Sequence, residues 1–188
     1  MKFKRITTLL LVVAMVLGTL TVASAAPINK AATDFEDFDQ DAWYAEAVTT
    51  GVENGLIYGY PDGTLQPQGN LTRAEMAAIA NRAFGTYVKA NVGQFKDVAR
   101  DAWYYEDIQM ACWMGTYRGT SAATMEPDKS ISRQEVLTIL ARALQLDLER
   151  YENTSLDKFG DGSEVSDWAL PYVKAMVGAG YIQGRNTG

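Results

Sequence analysis

The chain repeats itself with a period of 60 residues, and no other feature restricts its fold as strongly. Phe35-Glu36-Asp37 recurs as Phe95-Lys96-Asp97, and Asp41-Ala42-Trp43-Tyr44 recurs as Asp101-Ala102-Trp103-Tyr104. Gly55 and Gly59 map to Gly115 and Gly119, Leu65-Gln66-Pro67 to Met125-Glu126-Pro127, and Arg82 to Arg142. Thr72-Arg73-Ala74-Glu75 returns as Ser132-Arg133-Gln134-Glu135. A third unit opens at Phe159-Gly160-Asp161 and keeps Trp168, Gly180 and Gly184, with 16 residues from Trp to the second Gly in all three units. The organisation read from this pattern is a first repeat over 35–84, a second over 95–144 and a truncated third over 159–188.

Each repeat reads as helix, loop, helix. The first helix is expected to start near Trp43, with Asp41 as its cap. Trp43, Ala47, Val48 and Val52 lie at helical spacing, as do Trp103, Ile108 and Cys112, and Trp168, Val173 and Val177. Gly55, Gly115 and Gly180 fall where a left-handed cap ends such a helix. The second helix has a sharper start. Thr72 with Glu75, and Ser132 with Glu135, have capping-box spacing: hydroxyl to the third amide, carboxylate back to the cap amide. Met76, Ile79, Ala80 and Ala83 then form an apolar stripe, copied by Val136, Ile139, Leu140 and Ala143. One repeat cannot bury both stripes, so the fold is expected to be all-α, with the stripes meeting between repeats.

The N-terminus reads as a processing signal. Lys2, Lys4 and Arg5 precede an apolar run from Leu9 to Leu20, and Ala23-Ser24-Ala25 is a small-residue cleavage site. Residues 1–25 are therefore expected to be a signal peptide and 26–34 a loose N-terminus, with no membrane span after cleavage. Removal of the signal takes three of 17 basic residues and none of 23 acidic ones, moving the net charge from −6 to −9. That balance excludes nucleic acid as an expected partner.

A lone cysteine, Cys112, cannot form an internal disulfide and reads as a small core residue. The chain has no histidine, which removes His-dependent triads and ordinary zinc sites. Asp37-x-Asp39-x-Asp41 lacks the glycine and distal glutamate of a calcium loop and reads as a solvated acidic segment. No carboxylate pair is marked out for glycoside hydrolysis. The chain is expected to be non-catalytic, with no cofactor and no metal.

Taken together, Phe-x-Asp, Trp, the paired glycines, Gly59-Tyr60-Pro61-Asp62-Gly63, Pro67 and Thr72-Arg73-Ala74-Glu75 resemble the S-layer homology (SLH) repeat. The resemblance implies an incomplete pseudo-threefold helical spindle in an exported protein of the cell wall or S-layer. It also implies non-covalent anchoring by a secondary cell-wall polysaccharide on peptidoglycan, often bearing acidic pyruvyl ketals, with other S-layer proteins as further partners. In this family the Arg of the Thr-Arg-Ala-Glu motif contacts the ligand, which points to Arg73 and Arg133.

The residues offer a reason of their own. A cation at the first helical position opposes the helix dipole, costing about 0.3–1 kcal/mol, and an anion bound there reverses that sign. An Arg fork also matches a carboxylate. The opposing reading pairs each Arg with an acid from a neighbouring repeat. Tyr60 is a candidate exposed contact. Trp43, Trp103 and Trp168 are candidate sugar platforms, although Trp at the start of an apolar stripe reads first as core or groove wall. Thr72, Glu75, Ser132 and Glu135 support the Arg positions as caps. The second repeat has Gly119-Thr120-Ser121-Ala122-Ala123 in its turn, losing aromatic and acid, so the groove with Arg73 is the expected working site. The competing readings are a helical scaffold that binds protein, or the N-terminal part of a larger surface protein. An apolar strip is expected to be exposed along the third unit and its neighbours.

Overall fold

A computed structural model describes residues 30–184. The expected signal peptide and the last four residues of the truncated third repeat, 185–188, lie outside the described residues. The chain is helical. α1 spans Ala45–Glu53, α2 Arg73–Phe84, α3 Tyr105–Trp113, α4 Arg133–Ala143 and α5 Leu170–Gly178. Short 3-10 turns lie at Ala32–Asp34, Glu149–Tyr151 and Gly162–Glu164. No strand forms among the described residues, and Thr72 and Ser130 make a lone antiparallel bridge. α1 and α3 are the first helices of repeats one and two, α2 and α4 the second helices, and α5 is the first helix of the third unit.

Both capping boxes close. Thr72 Oγ1 accepts from the Glu75 amide at 3.2 Å and Glu75 Oε2 accepts from the Thr72 amide at 2.7 Å. Ser132 and Glu135 do the same at 3.3 and 2.7 Å. The first helices start differently. Tyr44 and Tyr104 occupy the cap positions of α1 and α3 without a side-chain cap bond. Asp41 is therefore not a cap, and its own amide donates to Asp39 Oδ1 at 3.0 Å. Residues 41–44 form a turn instead, so Trp43 stands just outside α1 rather than on its buried stripe.

The core is built between repeats. α2 packs on α3, and α4 on α5, in the main apolar cluster. Met76, Ile79, Ala80 and Ala83 are buried, as are Val136, Ile139 and Leu140. A smaller cluster joins Ala32, Phe35, Tyr44, Val48, Val52 and Leu65 beside α1. Among the described residues the large exposed apolar side chains are Trp43, Tyr58, Tyr87, Val88, Trp103, Trp113 and Trp168; Trp168 belongs to the third unit and the others to its neighbours. Val173 and Met176 of α5 are buried against α4.

Two devices hold the repeat loop in shape. Gly59 and Gly119 have φ of +70° and +84°, and a Cβ on either would collide with the ring of Phe35 or Phe95. This close approach is why Phe and the second Gly of each repeat recur together. Asp37 accepts from the amides of Leu65 and Gln66, both at 2.7 Å. Asp97 likewise accepts from Met125 at 2.9 Å and Glu126 at 2.7 Å. These carboxylates hold Gln66 and Glu126 at φ of 48° and 51°, a left-handed conformation that a non-glycine residue rarely adopts. Asp37 is thus a loop-holding residue, not part of a solvated acidic segment.

Candidate functional site: two equivalent grooves

The start of α2 is clamped by the next repeat. The Arg73 amide donates to Lys129 O at 3.0 Å and the Ala74 amide to Pro127 O at 2.8 Å. The Ile131 amide returns a bond to Leu71 O at 2.9 Å. The helix-terminal amides expected to hold an anion are therefore occupied by neighbouring carbonyls, the other way such orphan donors are satisfied.

The Arg73 side chain is engaged in the same way. It is 5 % exposed. Its Nε donates to Met125 O at 2.8 Å and one terminal nitrogen donates to Glu135 Oε1 at 2.7 Å. The Tyr117 ring lies 5.4 Å from the guanidinium, and the Tyr117 hydroxyl donates to Arg73 O at 2.7 Å. Burial pushes the Tyr117 phenol up in pKa, an effect that nearby Arg73 opposes. Glu135 does two jobs: Oε2 completes the cap and Oε1 takes the arginine. The pairing of Arg73 with an acid from a neighbouring repeat is the geometry adopted here.

Arg73 and Glu135 sit at the edge of a groove of about 640 Å³, which also contains Arg118, Lys129, Arg142 and Trp168. Its charges do not cancel. Arg73 is matched by Glu135, and Lys129 lies 2.8 Å from Glu126. Arg118 is exposed and makes no ion pair among the described residues. Arg142 donates to Thr116 O at 3.2 Å and lies over the Tyr172 ring at 4.8 Å. Its buried Nε has no hydrogen-bond partner among the described residues. Two positive charges are left over in a chain of net charge −6. Trp168, 51 % exposed, stands at the lip.

A second groove, of about 440 Å³, is the first one displaced by one repeat. Tyr58, Tyr60, Glu75 and Arg82 take the places of Arg118, Thr120, Glu135 and Arg142, and Trp103 takes that of Trp168. Arg82 donates to Leu56 O at 2.9 Å and lies over the Tyr58 ring at 3.9 Å. The Tyr60 hydroxyl donates to Glu75 Oε1 at 2.6 Å. Burial, followed by that carboxylate, raises the Tyr60 pKa.

The candidate residues named from the sequence are thus divided. Arg73 belongs to the first groove, and Tyr60 and Trp103 to the second. Tyr60 is half-buried and bonded to Glu75, not an exposed contact. Trp43 and Trp103 are 47 % and 62 % exposed, so neither is core; Trp43 lines neither groove. Arg133, half-buried at the start of α4, lines neither groove as well. Sequence reasoning missed Arg118 as a groove residue, whereas Trp168, weighed with the other two repeat tryptophans, lines the first groove. Arg142 was visible only as a repeat-matched Arg, with nothing in the spacing to aim it at a groove.

Residues 34–77 and 158–188 match the S-layer homology domain. The chain belongs to the S-layer homology family. It is 37% identical over 164 residues to the surface-layer 125 kDa protein of Lysinibacillus sphaericus, covering 87% of this chain and 13% of that protein. It is 30% identical over 147 residues to a cellulosome-anchoring protein of Acetivibrio thermocellus, covering 72% of this chain and 31% of that protein. An exoglucanase of Acetivibrio thermocellus is 29% identical over 167 residues, covering 88% of this chain and 15% of the enzyme. The chain therefore spans less than a third of each of these relatives. The enzyme matches only through its SLH region, a non-catalytic anchoring domain. The SLH chain is a cell-surface or cell-wall-associated protein with a part in cell-wall anchoring. No helix among the described residues is long and apolar enough to cross a membrane, and no His, Cys, Asp or Glu cluster there is suited to a metal ion.

Proposed function

We propose that the SLH repeats anchor this chain to the bacterial wall by binding an anionic, pyruvylated secondary cell-wall polysaccharide in the first groove. The observation that carries this reading is the pair of uncompensated arginines, Arg118 and Arg142, below an exposed Trp168. A carboxylate-bearing sugar needs a guanidinium fork for its acid and an apolar ring face for its pyranose, and these residues offer both. Arg73, its charge matched by Glu135, contributes by fixing the groove wall. Tyr60 and Trp103 would contact neutral sugars of the same polymer in the second groove. Trp43 and Arg133 are further contacts outside both grooves. The pseudo-threefold spindle implied by the resemblance belongs to the same reading.

The test is co-sedimentation of the exported chain with purified sacculi, before and after the secondary polymer is stripped. Binding should vanish on stripping, fall with salt, and drop at least about tenfold in Arg118→Gln, an exposed position whose loss leaves the core intact. Binding that survives stripping, or an Arg118→Gln variant that binds like wild type, would count against the reading. A folded chain that does not bind sacculi would favour the protein-binding scaffold, a reading supported by the internal engagement of Arg73.

A further inference from the structure

Arg82 and Arg142 hold the same place in successive repeats, but their neighbours give them different local charge. Each donates to a backbone carbonyl 26 residues earlier, Leu56 O at 2.9 Å and Thr116 O at 3.2 Å. Around that shared frame the residues differ. Tyr58, whose ring lies 3.9 Å from the Arg82 guanidinium, is matched by Arg118. Asn81, the residue before Arg82, is matched by Ala141. Asp107 is matched by Tyr172, since Trp103 pairs with Trp168 and Gly115 with Gly180 at one offset. Asn81 Nδ2 donates to Asp107 O and to Asp107 Oδ1, both at 2.9 Å, and so holds that carboxylate beside α2. Burial lowers the Arg82 pKa, and Tyr58 and Asp107 oppose the shift. In the next repeat the anchoring amide and the acid are lost together, and the Tyr172 ring lies 4.8 Å from the Arg142 guanidinium instead. An acid has gone and a cation has been added.

Like charges that share a groove with low-dielectric walls repel, and a bound anion relieves the repulsion. The first groove offers no internal substitute for that anion. Its acids, Glu126 and Glu135, are bonded to Lys129 and Arg73, and the buried Nε of Arg142 has no hydrogen-bond partner among the described residues. We infer that Arg118 and Tyr172 are specificity-determining residues of the first groove, and that they make Arg142 select a sugar carrying a carboxylate over the same sugar without charge. This selection presupposes the polysaccharide reading above; what it adds is the property recognised, ligand charge, and the side chains that read it. Arg142 is the fixed guanidinium, held by Thr116 O and faced by Tyr172. Arg118 is the exposed second one. Trp168 presents a ring face to a sugar whatever its charge, so it sets affinity and not charge preference. Tyr172 acts through Arg142, covering one face of the guanidinium where Arg82 meets an acid.

The experiment follows the tryptophan indole N–H signals of the isotope-labelled, exported full chain by nuclear magnetic resonance. The ligands are a methyl hexoside bearing a pyruvyl ketal and the methyl ester of the same compound, which has no charge. Trp168 is the reporter, identified by the signal that Trp168→Phe removes. In wild type the acid should bind at least about tenfold more tightly than the ester. Arg118→Tyr copies Tyr58 at an exposed position and should cut that preference to about threefold or less. Tyr172→Asp restores the acid and should cut it likewise, whereas Tyr172→Phe keeps the ring and should leave it unchanged. Ester affinity should stay within about twofold of wild type in all three variants, a result that general damage to the groove would not give. Should Tyr172→Asp fail to fold, Arg118→Tyr decides the matter alone. Equal binding of acid and ester by wild type would overturn the inference while leaving polysaccharide binding intact. So would an Arg118→Tyr variant that keeps the wild-type preference or loses acid and ester in proportion. If neither compound moved the Trp168 signal, and stripped and unstripped sacculi bound alike, the polysaccharide reading itself would fall.

Discussion

Replacing Arg73 with Ala separates a structural arginine from a ligand-binding one. The substitution removes the bond to Glu135 Oε1 at 2.7 Å and the bond to Met125 O at 2.8 Å. A hydrogen bond to a charged group is worth about 1.5–3 kcal/mol, and a buried acceptor left unpaired costs a further ~1–3 kcal/mol. Two effects reduce that sum. The Glu135 side chain is 21 % exposed, so water can rehydrate its carboxylate. Removing a cation from the first turn also returns ~0.3–1 kcal/mol through the helix dipole. The expected loss is therefore about 2–4 kcal/mol. For a chain of this size each kcal/mol lowers the melting temperature by roughly 2–4 °C, so a loss near 3 kcal/mol corresponds to about 6–12 °C. Urea unfolding of wild type, Arg73→Ala, Glu135→Gln and the double variant supplies the cycle, since Gln at 135 keeps the cap. A coupling of at least ~1 kcal/mol between the two positions is expected. A loss below ~1 kcal/mol with no coupling would refute the argument. If wall binding collapsed at the same time, Arg73 would be a ligand residue after all.

Three further outcomes follow from the same geometry. Gly119→Ala should cost more than ~2 kcal/mol in chemical unfolding, because φ of +84° and the Phe95 ring both oppose a Cβ. An unchanged midpoint would show that the loop relaxes freely. Asp97→Ala should cost about 2–3 kcal/mol, since it strips the acceptor from the Met125 and Glu126 amides. The Glu126 amide should then gain hydrogen exchange, and unchanged protection would argue against this role. Burial raises the Cys112 thiol from 9.0 to about 11. The folded state thus binds more protons than the unfolded state between these values, and stability falls as pH rises through that window. Cys112→Ser should shallow the fall but not abolish it, because buried Tyr117 shifts in the same direction. Alkylation of the thiol at pH 8 should be slow in the folded chain, and fast labelling would contradict its protonated state.

Much of the fold could be read from local rules. The capping boxes follow from hydroxyl and carboxylate spacing within one turn, and the buried stripes of α2 and α4 from helical periodicity, so Thr72, Glu75, Met76 and Ile79 were legible from their neighbours alone. The 60-residue period likewise determined that burial would occur between repeats. Contacts across repeats were not legible. Whether Arg73 faces an anion or Glu135 depends on where the start of α4, 62 residues away, is placed, and spacing within a helix carries no information about that distance. Trp43 illustrates the other limit: a turn at 41–44 moved it outside the apolar stripe that its spacing suggested. Asp37 looked like solvated charge because its partners, the amides of Leu65 and Gln66, lie 28 and 29 residues along the chain. The sequence by itself determined the helices, their caps and the repeat that forces them together. The tertiary structure alone decided which charges are used up between repeats and which, Arg118 and Arg142 above all, are left without an ion-pair partner among the described residues. Local hydrogen bonds and periodic burial act within a few residues, whereas charge compensation is settled only when distant segments meet.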